Sequence, residues 1–148
     1  MNIIDIEEIG WKTTEYEDSY LDGAIHQHMV KVATYVKLSS GHTHKPKKVE
    51  IDNLPESDTQ YIGAYEYAPG GWIADHIHSN AEQWYYIING QATMKVGSEE
   101  KLSNVGTIVF IPRNTVHSYR VVGDEPLRIL NVATFFSDAP SITTIVDN

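Results

Sequence analysis

The 148-residue sequence contains no cysteine. Disulfides are therefore excluded, which accords with a reducing compartment, and a cytoplasmic location is expected. Basic residues are scarce: 11 Lys and Arg stand against 20 Asp and Glu, for a formal net charge of −9. So acidic a chain is a poor partner for nucleic acid or an anionic membrane, and neither is expected. No apolar run approaches the length of a membrane span. The opening stretch MNIIDIEEIGWK lacks the basic segment of a secretory signal. No sustained helical period of hydrophobic residues is present. The length suits one domain, residues 1–148, with a core of its own.

What is present is a succession of short β-type segments. Residues 1–22 read as an acidic N-terminal arm or edge strand with Ile3, Ile4, Ile6 and Ile9. HMVKVATYVKL, from His28 to Leu38, alternates in part and is rich in β-branched residues. Ser39 to Pro46 is a polar loop beside Lys45, Lys47 and Lys48, and LPESD is a turn signature. QYIGAYEYA reads as a strand that ends at Pro69-Gly70-Gly71. WYYII and QATMKV flank Asn89-Gly90, the favoured pair of a type I′ turn, and so read as a hairpin. VGTIVFIP, HSYRVV and LRILNVATFF supply further strands. Many short strands punctuated by Pro and Gly predict an all-β sandwich or barrel, its core spanning residues 60–136.

Three histidines carry the chemistry. His76 and His78 are two apart, so on an extended strand they share a face. His117 follows the Pro112-containing turn and can close a ring around a divalent ion. Imidazole nitrogens with an oxygen ligand suit Zn, Fe, Ni or Mn, and such clusters commonly keep a position open for chemistry.

The segments that hold them, PGGWIADHIHSNAEQWYYIING and GTIVFIPRNTVHSYRV, resemble the two sequence motifs of the cupin superfamily. Gly70, His76, His78, Gly90, Gly106, Pro112 and His117 fall at the motif spacings. The resemblance implies a double-stranded β-helix, or jelly roll, with one divalent metal in it. Asn114 stands where the motif has Gly, a mild departure because Asn tolerates a left-handed backbone. Val121 replaces the closing Asn of the second motif. Counting back from Gly90 puts Gln83 at the carboxylate position, whereas strand parity from His78 points to Glu82. A turn at Ser79-Asn80-Ala81 would break that parity, which favours Gln83. The implied ligand set is His76, His78, Gln83 and His117, a combination that some cupins use, including one acting on an unsaturated uronate. Three imidazoles and an amide are all neutral and leave the full charge on the ion.

Alternation places Tyr119 and Val121 inward with His117, and Tyr85 and Ile87 inward with Gln83. Tyr85, Tyr119 and Glu82 are therefore the candidate catalytic groups. Trp72 and Trp84 read as core or interface, and Arg120 alternates outward while Arg113 flanks the site. His42 and His44 read as solvated loop residues, and His26 and His28 as the start of a strand. The expected function is a metal-dependent enzyme on a small oxygenated metabolite, with an Fe(II) dioxygenase preferred. The alternatives are a Zn, Ni or Mn isomerase, lyase or cyclase, and a non-catalytic binding protein. Cupins of this kind commonly pair, so a homodimer is expected.

Overall fold

The structure is a computed structural model that describes residues 2–9, 15–16, 25–39, 46–48, 54–137 and 143–146. The strands in chain order are β1 (Glu15–Tyr16), β2 (His26–Leu38), β3 (Pro46–Lys48), β4 (Glu56–Ser57), β5 (Gln60–His78) and β6 (Ala81–Asn89). They continue as β7 (Gln91–Val96), β8 (Glu99–Ser103), β9 (Ile108–Ile111), β10 (His117–Val122), β11 (Leu127–Phe135) and β12 (Thr143–Ile145). The only helix among the described residues is a single turn, α1 (Ile6–Ile9). None is long and apolar enough to cross a membrane. The loop histidines His42 and His44 lie outside the described residues.

The strand β5 organises the molecule. Its first half pairs with β11, from Gln60 against Thr134 to Tyr67 against Leu127. Its second half pairs instead with β10, Trp72 opposite Arg120 and His76 opposite His117. The strand expected to end at Pro69 thus continues, because Gly70 takes a φ of 81° and lets the chain bend from one sheet into the other. One sheet runs β2, β5, β11, β6, β9; the other runs β5, β10, β7, β8, with β12 and the start of β2 on its far edge. This is the jelly roll.

The expected hairpin at Asn89-Gly90 is corrected by the same topology. The strand β6 pairs with β9 and β11, whereas β7 pairs with β8 and β10. A type I′ turn needs positive φ at both central residues, and here Gly90 alone has it, at 81°. The Asn89 side-chain amide is committed to the Pro126 carbonyl at 2.8 Å. The pair is a corner between sheets.

Alternation along both sheets turns Tyr65, Tyr67, Tyr85, Ile87, Met94, Tyr119, Val121 and Ile129 into the main core. On the outer face of the first sheet, Ile4 and Ile6 pack against Ala33, Tyr35 and Ala64. Within the expected N-terminal arm, Ile6–Ile9 form a short helical turn and Glu15–Tyr16 a two-residue strand paired with β3. The Asp5 carboxylate accepts the backbone N–H groups of Glu7 and Glu8 and so caps that turn.

Candidate metal centre

The bend in β5 and the register of β10 bring three imidazoles together. His76 and His117 are direct cross-strand partners, and His78 lies one pleat further along the same face. Their ring centroids stand 4.0 to 5.0 Å apart. One ligand nitrogen from each lies within 4.8 Å of the others, and all three rings are buried. Two metal–nitrogen bonds of about 2.1 Å span roughly 4.2 Å, so the cluster is of ligand dimensions.

Hydrogen bonds set which nitrogen faces a ligand. His76 donates from Nδ1 to the Ala74 carbonyl at 2.7 Å, and His117 from Nδ1 to the Thr115 carbonyl at 2.9 Å. A carbonyl can only accept, so both rings carry their proton on Nδ1 and keep the Nε2 lone pair for an ion. His78 Nδ1 and Thr143 Oγ1 are 3.0 Å apart across the β5–β12 pairing. Burial lowers the pKa of His76, outweighing the opposing effects of the Ala74 hydrogen bond and the Asp75 charge. The ring is thereby held in the neutral form that a metal requires.

Ser79-Asn80 forms the bend between β5 and β6, so parity restarts there. Along β6, Ala81, Gln83, Tyr85 and Ile87 are buried, while Glu82 and Trp84 are half-buried and Tyr86 is exposed. Gln83 therefore faces the interior and lines the same cavity as His76 and His78. Glu82 faces the other side of the sheet, opposite Thr134. Gln83 Nε2 donates to the Tyr85 hydroxyl at 3.0 Å and to Asn131 Oδ1 at 3.2 Å. Its Oε1 is buried with no hydrogen-bond partner. An orphaned carbonyl oxygen in the cavity that His76 and His78 line is a donor that a divalent ion would complete. The residues present fit a metal.

The cavity encloses about 20 Å³, room for about one water-sized group. Tyr65, Tyr67, Tyr85 and Tyr119 all line it, together with His26 and Thr143. Arg113 is exposed, donating from Nε to the Ser79 carbonyl at 2.6 Å and lying over the Phe136 ring. Arg120 is exposed and Trp72 half-buried, both on the rim of an outer groove. Three features around the site escaped the sequence reading: Asn131, hydrogen-bonded to Gln83, Thr143, and the pairing of His26 with Tyr67. Asn131 had a signal, a single amide in the buried register of an otherwise apolar strand, between Ile129 and Ala133. Thr143 had none, since it arrives from a distant segment.

Three buried imidazoles placed to hold a metal ion, inside a jelly roll, define the class of structure to which the chain is similar. Residues 63–133 match the family model described as a cupin domain. Over 66 residues it is 38% identical to quercetin 2,3-dioxygenase of Bacillus subtilis (strain 168), a match covering 44% of this chain and 20% of that protein. A cupin-like protein of Thermotoga maritima MSB8 superposes with a TM-score of 0.63 at 16% identity, covering 91% of this chain and 87% of that one. The DMSP lyase DddQ of Ruegeria pomeroyi DSS-3 gives a TM-score of 0.60 at 16% identity, covering 93% and 62% respectively. At such identities the structural likeness is one of fold. The matches span between 20% and 53% of the length of the curated relatives.

Proposed function

We propose that the protein is a metal-dependent enzyme acting on a small oxygenated metabolite, and that its reaction is an iron(II)-dependent dioxygenation. The observation that carries this reading is Gln83 Oε1, buried and without a hydrogen-bond partner in the cavity of the histidine cluster. His76, His78 and His117 through Nε2, and Gln83 through Oε1, would hold the ion. When bound, a divalent ion supplies a Lewis acid for substrate oxygens and, as iron(II), a redox centre for oxygen. The Ala74 and Thr115 carbonyls hold two of the rings in the ligating tautomer. Asn131 and Tyr85 hold the amide so that its oxygen is left for the ion. The stretch shared with a quercetin dioxygenase supports the oxygenase reading.

A second reading rests on Tyr85. Its hydroxyl accepts from Gln83 Nε2, which places a phenolic O–H beside that amide. A proton donor at the site suits a Zn, Ni or Mn isomerase or lyase. Elemental analysis of protein purified without chelator or affinity-tag metal separates the two. Near-stoichiometric iron with oxygen consumption on catechol-like, diketone or thiol substrates is the expected result. Zinc, nickel or manganese without oxygen uptake transfers the assignment to the second reading. A site that refuses every added metal overturns both.

A further inference from the structure

The ligand set described above contains no base: an amide and three imidazoles whose lone pairs serve the ion cannot also take a substrate proton. Among the described cavity residues, the remaining titratable side chains are His26 and the tyrosines. Two of these are joined. His26 Nδ1 and the Tyr67 hydroxyl lie 2.5 Å apart, 41 positions apart in sequence, with His26 buried and Tyr67 fully so. Their rings are tilted at 40° with centroids 5.9 Å apart.

The backbone builds this pair deliberately. His26 sits beside Ile73 and Gln27 beside Trp72, but the next register pair is Met29 with Tyr67. A single residue of β2, His28, thus spans the bend that Ala68 to Gly71 make on β5. His28 takes a φ of 59°, a conformation a side chain rarely adopts. Strained, bulged backbone next to a cavity re-aims side chains, and here it sets His26 against Tyr67. Tyr67 then stacks edge-on against Tyr119 at 5.2 Å, Tyr119 against Tyr85 at 5.7 Å, and Tyr85 lies 6.5 Å from His117. The pair and the histidine cluster border one space.

We propose that Tyr67 and His26 form a proton relay that deprotonates the substrate, and that the substrate carries a hydroxyl beside a carbonyl. This rests on the metal-dependent reading above. The substrate O–H proton passes to Tyr67 Oη as the phenol's own proton passes to His26 Nδ1. The products are a substrate oxyanion, an intact phenol and an imidazolium. The reverse transfer returns the proton when product leaves. A hydroxyl beside a carbonyl is the group such a relay serves, because the anion it yields offers two oxygens to the undiminished charge of a neutral ligand set. Tyr67 is the catalytic group, and His26 acts through it.

The test counts protons. Acetohydroxamic acid, a small probe with a hydroxyl next to a carbonyl, is titrated calorimetrically into metal-loaded protein at neutral pH, in two buffers of different ionisation heat. Wild type is expected to keep the proton, so the binding heat is the same in both buffers. Tyr67→Phe removes the acceptor, and His26→Gln keeps a hydrogen-bonding side chain that cannot take a proton. Each is expected to release one proton per probe bound while retaining wild-type metal content. Release of one proton by wild type overturns the relay, as does retention by either variant or failure of loaded wild type to bind the probe. Metal stoichiometry measured beforehand on the same samples keeps failure of the relay distinct from failure of the metal site.

Discussion

At the scale of single residues, the site turns on the contrast between Gln83 and its neighbour Glu82. Gln83 is buried with its amide nitrogen held by Asn131 and Tyr85, and Glu82 lies half-buried on the opposite face of the same strand. Truncating Gln83 removes the proposed ligand oxygen from the cavity, whereas truncating Glu82 removes a charge from outside it. Gln83→Ala is therefore expected to weaken metal binding by more than about 100-fold, beyond the usual effect of losing an outer partner, while Glu82→Ala stays near wild type. Competition with a chromophoric chelator measures both, and the reverse order would place the fourth ligand at Glu82. Asn131 accepts from the Gln83 amide and donates to the Tyr65 hydroxyl at 3.2 Å. Asn131→Ala leaves Gln83 free to rotate, and a loss of roughly 10- to 100-fold in metal affinity is expected. An unchanged affinity would mean that packing alone orients the amide.

At the scale of elements, the corners between sheets decide the fold, and Gly90 shows why. A Cβ placed there would meet the Pro126 carbonyl oxygen at 2.4 Å, and the φ of 81° is unfavourable to any side chain. Gly97 also has positive φ, but its nearest neighbour is the Thr115 Cγ2 at 3.8 Å. Gly97→Ala should therefore cost only the left-handed conformation, about 1 kcal/mol. Gly90→Ala adds a backbone clash and should cost about 3 kcal/mol or more. Urea denaturation of the two variants checks this, and equal losses would show that the corner can relax. The same corner marks what sequence could reveal. Asn89-Gly90 announces a tight turn, but whether the two flanking strands stay in one sheet depends on their partners β11 and β10, far along the chain. The charged edge strand β8, EEKLS, has no apolar alternation to reveal it. Residues whose geometry is local, His76 with His78, were legible from strand parity. Gln83 became legible from its distance to Gly90, once the bend at Ser79-Asn80 was allowed to reset parity. The His26–Tyr67 contact depends on how two bulged strands bend together, and no local pattern encodes that.

At the scale of the whole molecule, the buried histidines couple the site to stability. Burial depresses the pKa of His76 in the folded state, so the unfolded chain binds that proton more readily. Above the ordinary imidazole value of about 6.5 the ring is neutral in both states and the difference costs nothing. As pH falls below that value, the unfolded state takes up the proton first, and stability declines until the pH passes the folded value. A metal bound at these histidines would add a second, larger linkage. An ion held only by the folded protein stabilises it by about 4 kcal/mol at a thousandfold excess over its dissociation constant, and protons compete for the same Nε2 lone pairs. The net charge of −9 works the other way, since acid relieves self-repulsion. That effect is common to metal-loaded and chelator-stripped protein, so comparing the two removes it. Loaded protein is expected to unfold at a distinctly higher urea concentration than stripped protein near pH 7.5, with the gap closing towards about pH 5. Coincident transitions near pH 7.5 would mean that the folded barrel holds no metal at these histidines. A gap that persists unchanged in acid would place the ion on carboxylates instead.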